Sequence, residues 1–149
     1  MKIINDSKLY LYFTLISFII GMLLLLIYSY SAFIVEPEIK KLISSEDSID
    51  ENYKKAFIKL KDPQIFARYE NFDRISMPIK TIIKVYDAKI EANEAFVRND
   101  VVYLQILLDR RILGAQLTKN TMIFFLMLTL LGIAFYLFER KINKKQSIS

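Results

Sequence analysis

Four acids fall within the seven residues Ser45 to Glu51, "SEDSIDE": Glu46, Asp47, Asp50 and Glu51. Carboxylates at this density could hold a hard cation such as calcium. An EF-hand loop, however, spaces its acids around a central glycine, and none is present here. The stretch therefore reads as a solvated linker, with no metal site. A second charged group joins Arg110, Arg111 and Lys119 to the acids Glu36 and Glu38. These would stand at a common height on two neighbouring helical stalks, which leads us to expect pairing of Glu36 and Glu38 with Arg111 and Lys119. Surface pairs of this kind contribute about 0–1 kcal/mol each. The chain has no histidine and no cysteine. It thus lacks the commonest metal ligand and the side chain best suited to moving protons near neutral pH. Disulfides, iron–sulfur centres and thiolate zinc sites are excluded. With no phosphate loop and no nucleophile beside a base, the expectation is a non-enzyme with no catalytic residues and no cofactor. The aromatics Phe57, Phe66, Tyr69 and Phe72 read as core.

Two long apolar runs set the architecture that must position these groups. Leu9 to Val35 carries no charge over 27 residues, and about 20 apolar residues suffice to cross a bilayer core. Tyr10 and Tyr12 lie near one end and Tyr28 and Tyr30 near the other, where tyrosine suits the membrane–water interface. Thr121 to Phe138 is a second uncharged run of 18 residues, closed by Glu139, Arg140 and Lys141. A charge in hydrocarbon costs several kcal/mol, so the run is expected to end where the bilayer does. Ser29-Tyr30-Ser31 has the small-x-small spacing of a cleavage site. The apolar run before it far exceeds the roughly 7–15 residues of a signal peptide, so it is read as a span.

Charge orients the two spans. The tail after Phe138 has Arg140, Lys141, Lys144 and Lys145 against Glu139, and the first eight residues have Lys2 and Lys8 against Asp6. By the positive-inside rule both tails are cytoplasmic. Residues 36–119 then lie on the far side, nearly neutral with 15 basic and 14 acidic residues. The chain's net charge of +5 is thus mostly tail charge, and no nucleic acid or small-molecule substrate is expected.

The intervening segment has helical apolar spacing broken by prolines. Pro37 is expected to open a helix carrying Ile39, Leu42 and Ile43. Ser48 and Glu51 have the spacing of a capping box, so the next helix is expected from Ile49, with Tyr53, Ala56, Phe57 and Leu60 on one face. Asp62-Pro63 and Met77-Pro78 read as breaks around a short helix bearing Ile65, Phe66, Tyr69 and Phe72. Ile79, Ile83, Tyr86 and Ile90 form a further stripe, which Asn93 and Val97 would extend. Val101, Leu104, Leu108, Ile112 and Ala115 make the last stripe, with Asn99-Asp100 either capping a new helix or lying on a continuing one, and with no stop before Thr121. The predicted fold is an all-α membrane protein: residues 1–8 a tail, 9–35 a span, 36–119 an extracytoplasmic helical bundle, 120–138 a second span continuous with the last helix, and 139–149 a basic tail. Ser17 and Gly21, with Gly132 on the other span, are candidate helix-packing positions because small residues let helices approach closely. Asn93 is a candidate for fixing register.

"FTLIS", Phe13 to Ser17, is similar to the start of a type IV pilin over five residues. It lacks the glycine-ended leader, and Ser17 stands where the pilin glutamate would, so the likeness ends there. The order of span, outer helical bundle and span is similar to the input half of chemoreceptors and sensor kinases. That resemblance implies a signal-transducing protein, and the eleven residues after Phe138 would leave the output to a separate protein. The leading expectation is an accessory or scaffolding subunit of a membrane complex, in contact with the bilayer and with other membrane proteins or a second copy. A small pore or holin is a third class, disfavoured by spans with one glycine each and few hydroxyls. Abundant Ile, Lys and Asn without Trp suggests an AT-rich bacterial source and hence an inner membrane.

Overall fold

The computed structural model describes residues 6–61 and 73–146. All their regular structure is helical, and no strand occurs among them. The helices are α1 (Asp6–Tyr30), α2 (Glu36–Ser44), α3 (Ile49–Lys61), α4 (Asp73–Glu91) and α5 (Val101–Gln146). Two of the helical stretches are long and apolar enough to cross a membrane: Lys8–Ser44 and Arg98–Lys144. The chain divides into two compact units, residues 28–117 and residues 1–27 with 118–149. Both divisions fall earlier than the 35/36 and 119/120 boundaries expected from hydropathy. The predicted helix with Ile65, Phe66, Tyr69 and Phe72 lies outside the described residues.

In the two-helix unit the first part of α1 meets the last part of α5 along small side chains. Ser17 and Thr129 are buried. A Cβ on Gly21 would lie 3.1 Å from Leu126 Cδ2, and one on Gly132 would lie 2.2 Å from Thr14 Oγ1 and 3.2 Å from Thr14 Cβ. Further along, the Tyr10 and Phe135 rings stack at 5.7 Å. The hydroxyls in this seam turn back onto their own helices: Thr14 donates to the Tyr10 carbonyl at 2.8 Å and Thr129 to the Phe125 carbonyl at 2.9 Å. These two hydroxyls are thereby satisfied within their own helices.

The larger unit is built from α2, α3, α4 and the first part of α5. Its core joins Ile39 and Ile43 of α2, all four expected residues of α3 (Tyr53, Ala56, Phe57 and Leu60), Ile79, Ile82 and Tyr86 of α4, and Leu104, Leu107 and Leu108 of α5. Phe96, from the irregular segment between α4 and α5, completes it.

Several local expectations are corrected. Pro37 lies in the first turn of α2, as expected, but the chain does not break before it. The backbone stays helical through a π-helical turn, Ser31–Val35, in which the Glu36 N–H reaches the Ser31 carbonyl. Pro37 has no N–H for an ordinary i−4 bond and its ring crowds the carbonyl one turn back, so a wider turn absorbs it. Met77-Pro78 is no break either, since α4 runs through it. Pro78 forfeits one backbone bond there, while the apolar stripe beyond it holds the helix on the core. The Ser48–Glu51 capping box does not form. Ser48 has φ 51°, away from the extended backbone a box requires, and Glu51 reaches forward to Lys55 at 2.6 Å.

Candidate functional site

The strongest polar constellation in the larger unit centres on Asp100. Three residues of 3₁₀ helix, Arg98–Asp100, precede α5 and turn the carboxylate back over α4. Its Oδ1 accepts the Tyr86 hydroxyl at 2.8 Å. Its Oδ2 accepts Lys89 Nζ at 2.6 Å and the Val97 N–H at 2.8 Å. Asp100 is 8% exposed and Tyr86 is 3% exposed, so this ion pair is largely withdrawn from water. Around it stand Phe57, Phe96 and Tyr103, with ring centroids 5.6, 5.2 and 5.8 Å from that of Tyr86. Lys89 Nζ also lies 5.2 Å from the Phe96 ring centre, a cation–π distance. Asp50 anchors the same corner from α3, its Oδ1 accepting the Phe96 N–H at 2.7 Å.

This geometry ties α3, α4 and the segment before α5 together. Burial pushes the Asp100 carboxyl up, but the hydrogen bonds from Lys89, Val97 and Tyr86 outweigh it and hold the group below the usual carboxylate range. Tyr86 is pushed well above an ordinary phenol, first by burial and then by the Asp100 carboxylate, so it stays protonated. Asp50 is held low by the Phe96 N–H and then by Lys54. For the two aspartates the unfolded chain binds protons at higher pH than the folded chain. Their contribution is therefore present above an unfolded pKa of about 4 and is lost as pH falls below it. For Tyr86 the sign reverses: its contribution is present below an unfolded pKa of about 10 and is lost as pH rises past it. We expect the unfolding midpoint of the larger unit in detergent to be level between about pH 6 and 9 and to fall on both sides. Loss of stability on going from about pH 7 to 5 would contradict the assignment.

The acids of Ser45 to Glu51 disperse: Glu46 meets Arg98 at 3.2 Å, Asp50 meets Lys54 at 3.0 Å and Glu51 meets Lys55. No group of three potential ligands that could hold a metal occurs among the described residues. Glu38 pairs with Lys59 of α3 at 2.5 Å. Buried Glu36 accepts the Ser31 hydroxyl at 3.3 Å. Arg111 donates to the Lys59 carbonyl at 3.2 Å, so one residue of α3 is tied to both α2 and α5. Lys119 is exposed and belongs to the two-helix unit. Asn93 is not on a packed stripe. It is exposed, has φ 54° and ends α4, with its N–H on the Ile90 carbonyl at 3.0 Å. Asparagine tolerates that left-handed backbone better than most residues. Val97 is likewise 53% exposed, and the buried residue is its neighbour Phe96. Sequence reasoning missed Lys59, Lys89 and Phe96; an acid three residues after Val97 was the available cue to the Asp100 turn.

Gly21 and Gly132 differ in what a side chain would meet. At Gly21 the obstacle is the mobile end of Leu126, whereas at Gly132 it is Thr14 from Cβ outward, with Phe13 Cδ1 at 3.3 Å. Gly132→Ala is expected to destabilise the helix pair by about 1–3 kcal/mol, and Gly21→Ala by less. Unfolding of the full chain in mixed micelles of increasing SDS fraction measures both, and an unchanged stability of Gly132→Ala would refute the seam.

All-α architecture with two potential spans is the class this fold defines. Comparison with protein-family models, with curated proteins and with solved structures finds no match to the chain.

Proposed function

We propose that the chain is an integral membrane protein with two spans and both termini cytoplasmic, and that it is a non-enzymatic accessory or scaffolding subunit of a larger membrane assembly. The observation that carries this reading is the apolar surface of the two-helix unit. Leu9, Leu15, Leu23, Leu26, Met127, Leu130 and Phe138 are each 54–67% exposed. Apolar area costs about 25 cal/mol per Å² in water, and lipid removes that cost. Basic residues at 140, 141, 144 and 145 favour the cytoplasmic side for the tails. The larger unit then stands on the opposite face, offering exposed Ile58, Val85, Val102 and Leu113 for contacts with protein. A second reading, an input protein that signals through a separate partner, draws support from the unbroken course of α5 from Val101 to Gln146, because one continuous helix can transmit a shift or rotation. Affinity recovery of the tagged full chain from membranes in mild detergent separates the two. Stoichiometric recovery of other membrane proteins supports the accessory reading, and recovery of copies of this chain alone overturns it in favour of the second.

A further inference from the structure

The first part of α5 has two apolar faces, and one of them is uncovered. At about 100° per residue, the core residues Leu104, Leu108 and Ala115 share one side of the helix. Val102, Ile106, Leu113 and Leu117 fall within an arc of about 60° on the other, and are 58, 40, 60 and 43% exposed. Lipid does not account for this stripe. Asp109 and Arg110 flank it at mid-length, and each charge would cost about 2.5–3.5 kcal/mol in a bilayer. The uncharged run that fits the hydrocarbon begins only at Thr121.

We infer that this face of α5 is the seam of a parallel homodimer. The inference rests on the membrane reading above, since two copies inserted with one topology are related by a two-fold axis along the membrane normal, which makes their α5 helices parallel. Asp109 and Arg110 lie on opposite edges of the stripe by the same angular count. The two-fold therefore brings the Asp109 edge of one copy against the Arg110 edge of the other, on both sides of the seam. Val102, Ile106 and Leu113 lie between these edges, near the axis. A second copy is thus complementary in charge as well as apolar along the stripe. Confinement in one bilayer with one orientation also raises the effective concentration of the pair.

The absence of cysteine gives a clean test in native membranes. Leu113→Cys, near the axis, should form a disulfide-linked dimer when two thiols are oxidised by copper(II)–phenanthroline. Lys40→Cys, exposed on α2, should not. Asp109→Arg placed in the Leu113→Cys chain should lower the linked fraction about tenfold through like-charge repulsion. The swap Asp109→Arg with Arg110→Asp should restore it. Alkaline carbonate extraction of the same samples separates the two layers of the argument. A membrane-retained chain that stays monomeric, that links only to a different protein, or whose swap fails to recover overturns the dimer and leaves the membrane reading standing. A chain released by carbonate overturns both.

Discussion

Asp100→Ala is expected to destabilise the larger unit by about 3–5 kcal/mol, the usual cost of removing one partner of a buried ion pair. The reason lies in what would be left behind. The Tyr86 hydroxyl, Lys89 Nζ and the Val97 N–H all donate to this one carboxylate. Alanine leaves two of these neutral donors without an acceptor and Lys89 without its anion, in a place that excludes most water. Each orphaned donor costs about 1–3 kcal/mol, and a charged one costs more. Asp100→Asn keeps an acceptor but loses the charge, so it should fall between alanine and the native chain. The check is thermal unfolding of the full chain in detergent, followed by near-ultraviolet circular dichroism of the tyrosines. The double variant Asp100→Ala/Lys89→Met should recover part of the loss, because it removes the stranded ammonium. If the double variant is no more stable than Asp100→Ala, the ion pair is not what holds this corner.

Phe57→Ala should have a comparable effect by another route. Phe57 is fully buried and packs its ring 5.6 Å from Tyr86 and 6.3 Å from Phe96. Truncation opens a cavity between three elements that cannot easily collapse, because Tyr86 is fixed by Asp100 and Phe96 by Asp50. Losses of about 3–5 kcal/mol are typical. A domain stable by only about 5–15 kcal/mol feels such a loss strongly. Limited proteolysis in detergent should then cleave within the larger unit at a protease level that spares the native chain. Val85→Ala, at a position 56% exposed, should alter the pattern little, with an effect within about 0.5 kcal/mol. Equal protease sensitivity of the two variants would contradict the core assignment.

The helical class and the interior faces of α3 and α5 were legible in the sequence, because an apolar period near 3.6 survives wherever one face of a helix is buried. Tyr53, Ala56, Phe57 and Leu60 illustrate this on α3. The prolines suggested sharper boundaries than form, for a single reason: Pro37 and Pro78 signal a local cost, and packing of the residues beyond them decides whether that cost is met by a π-turn, by one lost bond, or by a break. Phe96 was invisible because it belongs to no periodic segment, and its backbone is held by Asp50, 46 residues away. The Asp100 cluster was half legible. Its capping role follows from local spacing, but its partners on α4 depend on how the chain folds back. Gly132 was recognisable as a small residue, but its opposition to Thr14 depends on the register of two helices far apart in sequence.

The central claim is that two apolar helices hold one helical unit on the outer face of a membrane and the tails on the inner face. Single cysteines in this cysteine-free chain report that arrangement most directly, read with a membrane-impermeant maleimide on right-side-out vesicles. Glu46→Cys, at a residue whose side chain is 84% exposed, should label in intact vesicles, whereas Lys144→Cys, also exposed, should label only after the membrane is opened. Labelling of Lys144→Cys in intact vesicles, with Glu46→Cys protected, would contradict the proposed topology. Recovery of the chain in the soluble fraction would contradict the membrane claim itself.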